Sequence, residues 1–153
     1  MKIPELHAEL TRLPGALPIW HGVTDVAGWQ AAASAVTQAG GNLLAVWGSG
    51  GGDPWRPAVC VAYGVASGLV WLELPLALGD PVYPDLSASF PAAGRMQRAA
   101  CDLSGVRATG AGDTRPWLDH GGWPAGDPPL RHPGRASVPL VGAPVGEIGR
   151  AHV

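Results

Sequence analysis

Apolar positions along the chain follow two different periods, and the places where one gives way to the other outline the fold. After Thr24 or Asp25 as a cap, Val26, Trp29, Ala33 and Val36 recur at helical spacing, and Gly40-Gly41 supplies the stop. A second helical stripe, Ala92, Met96, Ala99 and Leu103, follows Ser89 as a candidate N-cap and Pro91 in the first turn. Gly105 closes it in the left-handed conformation, and Arg98 and Asp102 stand four apart on another face. Leu6, Leu10 and Leu13 suggest a third, short helix from Pro4 to Leu13. Between the two longer helices the period drops to two. Leu43 to Trp47 reads as a strand, and Val70, Leu72, Leu74 and Leu76 alternate against Trp71 and Glu73.

The most apolar stretch, Pro57 to Leu78, raises the possibility of a membrane span. Its uncharged part ends at Leu72, short of the roughly 20 residues a bilayer requires, and Glu73 and Pro75 interrupt its continuation. With Ser67-Gly68 as a turn, two antiparallel strands, Ala58 to Val65 and Leu69 to Leu76, account for it better. Residues 79–89 form a Pro-rich crossing into the second helix. The expected class is therefore α+β: a small antiparallel sheet with helices packed on one face, followed by a long ordered C-terminal loop rich in Gly, Pro, Asp, Arg and Trp.

Composition sharpens this picture only in places. The chain of 153 residues suits one domain, and with 46% hydrophobic and 14% charged residues its surface carries few charges, which favours a bound partner. A net charge of −2 gives no electrostatic reason to expect nucleic acid or an anionic membrane surface. Cys60 and Cys101 have no metal-ligand spacing, and the five histidines are scattered. The glycine run from Gly48 to Pro54 comes after a strand, but it lacks the Lys-Ser/Thr of a phosphate-binding loop and Pro54 opens no helix, so it reads as a hairpin loop. Asp113, Arg115, Asp119 and His120 bring an acid, a cation and a potential base within eight positions. No nucleophile or metal motif accompanies them, and loop Asp and Arg more often fix loop geometry than catalyse. No catalytic, cofactor-binding or metal residue is assigned. Met1 to Leu13 lacks the layout of a signal peptide.

The run Phe90-Pro91-Ala92-Ala93, then Gln97-Arg98, then Cys101-Asp102-Leu103-Ser104-Gly105-Val106 resembles the signature helix of the 30-kDa subunit family of respiratory Complex I. Gly110, Asp113, Arg115, Trp123, Gly126, Pro128, Leu130 and Arg131 fall where that family has its downstream Gly-His-Pro-Asp-Leu-Arg-Arg, Asp-Trp and Gly-His-Pro-Leu-Arg elements. The wording from Asp113 to Gly121 is similar to one branch in which such a domain precedes the large subunit of membrane-bound, Complex-I-like hydrogenases related to formate hydrogenlyase. The motif region covers about a quarter of the chain. Gln97 and Ala99 stand where the family has glutamates, Cys101 and Ser104 where it has aromatic rings, and Gly110-Ala111-Gly112 lacks the family's histidine.

The resemblance implies an accessory domain of an NADH-quinone oxidoreductase or hydrogenase-type complex, not catalytic by itself and holding no cofactor. Iron–sulfur clusters, and NiFe or quinone, would belong to partner subunits. The implied partners are the catalytic large (49-kDa-like) subunit, fused to this domain in some relatives, and a small iron–sulfur subunit. Nucleic acid is not among them, and the membrane is reached only indirectly, the complex lying peripherally on its cytoplasmic face. Arg98, Asp102, Asp113, Arg115, Trp117, Trp123 and Arg131 are the expected partner-docking residues. Within this set Trp123 is expected to turn inward, and Trp117 and Arg115 outward. The alternative is a diverged free-standing protein-binding module with no redox role. The domain is expected over residues 1–135 and a linker over 136–146. Residues 147–153, Glu-Ile-Gly-Arg-Ala-His-Val, read as the translation of a sequencing adapter joined to the gene.

Overall fold

A computed structural model describes residues 9–50, 54–124 and 126–131. Helix α1, Val26–Gln38, begins at Asp25, whose carboxylate accepts the Gly28 N–H at 2.7 Å, and it buries Trp29, Ala33 and Val36. Val26, expected on the same face, is half exposed. Strands β3 (Asn42–Ser49), β4 (Ala58–Val65) and β5 (Gly68–Pro75) form the expected antiparallel meander, and the glycine-rich segment joins β3 to β4.

Two further strands complete the sheet. β1, Thr11–Arg12, pairs antiparallel with β2, Ile19–Val23, and β2 lies parallel to β5, giving the order β1-β2-β5-β4-β3. The expected helix from Pro4 to Leu13 is therefore corrected over its described end, because Thr11 and Arg12 are extended and pair with His21 and Trp20. Its first five residues lie outside the described ones, as do the expected linker and adapter segments. The β2–β5 pairing adds a parallel neighbour to the expected antiparallel sheet and makes it mixed. A second, two-stranded parallel sheet joins β6 (Val82–Pro84) to β7 (Arg107–Thr109).

Both helices contribute to one core on one face of the large sheet. Trp29, Ala32, Ala33 and Val36 of α1 meet Val59, Val61 and Tyr63 of β4 and Val70, Leu72 and Leu74 of β5. Residues 58–63 of β4 are buried without interruption, including Ala58, Cys60 and Ala62 on the opposite face. Cys60 sits in register between Trp47 and Glu73. A strand covered on both faces reads as a continuous apolar run, which is why this stretch resembles a membrane segment in composition. Among the described residues no helix is long and apolar enough to cross a membrane.

Helix α2, Ala93–Ser104, buries Ala93, Gln97, Ala100 and Ser104. The expected stripe of Ala92, Met96, Ala99 and Leu103 is thus displaced by one position. Met96 still packs against the core and Ala92 is exposed. The helix also starts later than expected, with Ala92 as its cap residue and no capping side chain, so Ser89 is not the N-cap. Its C-terminus closes at Gly105 with φ 76°, as expected. α2 approaches β3 closely enough that a Cβ on Gly48 would stand 2.4 Å from the Ser104 Cβ.

Candidate docking surface

The surface is built on the outer side of α2. Gln97 points inward: its carbonyl oxygen accepts the Leu86 N–H at 2.9 Å, and its amide donates to Asp85 at 2.6 Å. Asp85 also accepts the Ser87 N–H. Burial by itself would raise the Asp85 carboxyl pKa, but the donors from Gln97 and Ser87 outweigh it and hold it below the ordinary value. This knot ties the segment before α2 to the helix and so sets which face turns outward.

On that outer face Asp102 and Arg98 both reach the loop beyond the helix. One Asp102 oxygen, Oδ2, accepts three successive backbone N–H groups, from Trp117 at 2.7 Å, Leu118 at 2.6 Å and Asp119 at 3.1 Å. Partial burial would raise this carboxyl; the three N–H donors and nearby Arg98 prevail and lower it. Arg98 bridges to Asp113 at 3.1 Å. Asp113 in turn clasps Arg115, with Nε to Oδ1 at 2.9 Å and Nη2 to Oδ2 at 2.8 Å. These contacts from Arg115 hold the Asp113 carboxyl far below the usual range. Arg98 and Asp102 therefore form no ion pair with each other; each spends its charge on the loop.

The loop's far end is fastened separately. The Leu130 N–H donates to the Leu103 carbonyl at 2.8 Å, satisfying one of the free acceptors at the end of α2, and Pro128 packs over Gly105. Between the fastenings Trp117 stays 41% exposed, with the Arg95 and Arg98 guanidinium groups 5.2 and 5.0 Å from its ring centroid. A cavity of about 280 Å³ lies between α2 and the loop, lined among others by Gln97, Cys101, Asp102, Arg107 and Asp113. Beside it a wide, shallow groove runs along Arg98, Arg115, Pro116, Trp117, Leu118 and His120.

Of the residues singled out in the sequence, Arg98, Asp102, Asp113, Arg115 and Trp117 come together here. Trp123 is half-buried. Arg131 takes part in none of these contacts and lies over the Trp55 ring, 4.0 Å from its centroid. Sequence reasoning missed Arg95 and the structural part of Gln97. The signal for Arg95 was its spacing, three residues before Arg98 on one helix. Chemically, the arrangement holds backbone in place. Its two central carboxylates are engaged by donors from the loop and from Arg98, and burial raises the Cys101 thiol pKa, which disfavours the reactive thiolate. No group of three or more metal-binding side chains occurs among the described residues.

Fold and surface together define the class: a small α+β domain that displays a loop latched to its signature helix. The chain belongs to the family of the respiratory-chain NADH dehydrogenase 30 Kd subunit, whose family model matches residues 23–143. That family is named for one subunit of a multi-subunit complex, so its members work among protein partners. Among solved structures the chain is similar to a trypsin-resistant fragment of Nqo5, at 16% identity and a TM-score of 0.57 over 69% of this chain and 89% of that one. It is also similar to a chain of the membrane-bound sulfane sulfur reductase, an archaeal respiratory membrane complex, at 15% identity and a TM-score of 0.62 over 77% of this chain and 71% of that one. At such identities the likeness is one of fold. No curated protein matches the sequence.

Proposed function

We propose that this chain is an accessory domain of a Complex-I-like oxidoreductase, NADH-quinone oxidoreductase or hydrogenase in type, and that the loop over residues 110–131 docks it onto the catalytic large subunit. The domain buttresses that subunit and the small iron–sulfur subunit beside it. Electrons pass through the partners' clusters, and the domain reaches the cytoplasmic face of the membrane only through the complex. The observation that carries this reading is the grip of Asp102 on three consecutive N–H groups, which fixes the backbone beneath an exposed tryptophan. A loop held in one conformation before it meets a partner avoids the ordering cost of binding, and tryptophan is the side chain most enriched where binding energy concentrates. The test is co-purification of the large subunit of the same complex with the wild-type chain and with an Arg115→Ala, Trp117→Ala double variant. Assembly should be lost or weakened about tenfold in the variant while its fold persists. Unchanged assembly by a folded variant would place the docking surface elsewhere.

A further inference from the structure

We infer that the cation of this surface left to meet a partner's carboxylate is Arg95, and that Arg95 with Trp117 receives an acidic side chain flanked by an apolar one on a partner protein. The inference rests on the docking role proposed for the loop and specifies what the loop recognises. Its ground is a census of charge. Asp102 is occupied by three N–H donors, Asp113 by Arg98 and Arg115, and Asp119 accepts the Gly121 N–H. The Arg115 fork, the obvious candidate for a partner's carboxylate, already gives its Nε and Nη2 donors to Asp113 within the loop, so its charge is neutralised there although the side chain is 82% exposed. Arg95 is exposed, lies over the Trp117 ring, and pairs with no carboxylate among the described residues.

Two features make this a site for a protein segment. Trp117 and Leu118, each 41% exposed, supply apolar area next to the cation. On this surface, among the described residues, one guanidinium without a carboxylate partner is too little to track a phosphate backbone or hold an anionic bilayer, each of which takes several, and the chain's net charge is −2. Position adds a separating sign. Arg95 sits in the first turn of α2, where the helix dipole disfavours a cation and attracts an approaching carboxylate. Reversing its charge should therefore weaken binding without weakening the fold.

The experiment follows the Trp117 indole N–H signal of the intact chain, assigned with Trp117→Phe, while a peptide of alternating Glu and Leu is added. The expected result is a saturable shift that Arg95→Glu abolishes and Arg95→Lys largely retains, with the melting temperature of Arg95→Glu equal to or above wild type. An alternating Lys and Leu peptide should leave the signal still. Co-purification with the large subunit forms the second arm, with Arg95→Glu weakening it about tenfold. A peptide response that depends on Arg95, without capture of the large subunit, would uphold the recognition and overturn the assigned partner. Capture that is indifferent to Arg95→Glu, or no peptide response, would overturn the inference and leave the docking reading standing. A Trp117 response to phosphatidylglycerol vesicles or oligothymidine, but not to the acidic peptide, would also overturn it.

Discussion

Asp102 shows how one side chain can organise a loop. A single carboxylate oxygen in contact with three N–H groups is charge-assisted at each, and an amide in its place keeps an acceptor but loses the charge. Asp102→Asn should therefore lower stability by about 1–2 kcal/mol at neutral pH, read from urea unfolding. The pH dependence has a definite sign. The folded-state pKa lies below the unfolded one, so the contribution is fully present above the ordinary value of about 4 and is lost as pH falls through the depressed value. The gap between wild type and variant should close in that acid range; a gap unchanged by pH would mean that the charge is irrelevant. Gln97 supports the opposite experiment. Only 2% exposed, it donates to Asp85 with one end and accepts from Leu86 with the other. Gln97→Glu would set two carboxylates face to face and should cost about 2–4 kcal/mol at neutral pH. Burial and Asp85 would raise the pKa of the new carboxyl, so the penalty should grow as pH rises above about 4 and level off above that raised value. A variant as stable as wild type across that range would show that the knot around Asp85 is dispensable.

At the scale of elements, the decisive contact is between α2 and β3. Gly48→Ala places a methyl group 2.4 Å from the Ser104 Cβ and should destabilise by about 1–3 kcal/mol. Combining it with Ser104→Gly should recover part of the loss, and unfolding of both single variants and the double variant measures the coupling. Additive losses would mean that the strand and helix yield independently. The same helix shows why a hydrophobic stripe can be placed one residue off. Gln97 and Ser104 are polar and yet buried, because Gln97 is fully partnered and Ser104 faces a glycine. A count of apolar positions passes over both and selects Ala92 and Ala99 instead. Strand β2 escaped for another reason. Ile19–Val23 is short, comes directly after Pro18, and pairs in parallel with β5, whose nearest residues lie far along the chain. Local pattern carries no trace of such a partner.

At the scale of the molecule, the absence of a glycine fingerprint between strand and helix, and of cluster-spaced cysteines, leads to the expectation that purified chain binds neither NADH nor iron. Metal analysis and NADH titration check this; stoichiometric iron and sulfide, or micromolar NADH affinity, would contradict it. The architecture agrees with a role among partners. The sheet and helices close one core, while the loop is fastened at Asp102 and again at Leu103, and the Trp117 and Leu118 side chains stay exposed at the first of these points.

The sequence by itself determined the features that depend on neighbours in the chain. The capped helix after Asp25, the β3-β4-β5 meander, the left-handed stop at Gly105 and the family signature on α2 all arise from local spacing and residue chemistry. Tertiary structure decided the rest. It set the parallel place of β2, turned Gln97 inward, and sent Arg98 and Asp102 to the loop although their spacing also allowed them to pair with each other. It also brought Trp117 beneath the exposed Arg95, whereas the clasp of Arg115 on Asp113, two residues apart, is local. The physical reason is that a charged side chain at a surface has several partners within reach of its sequence position. Which one it takes depends on backbone donors and carboxylates delivered by segments 15 or more residues away, as the Trp117 N–H is delivered to Asp102.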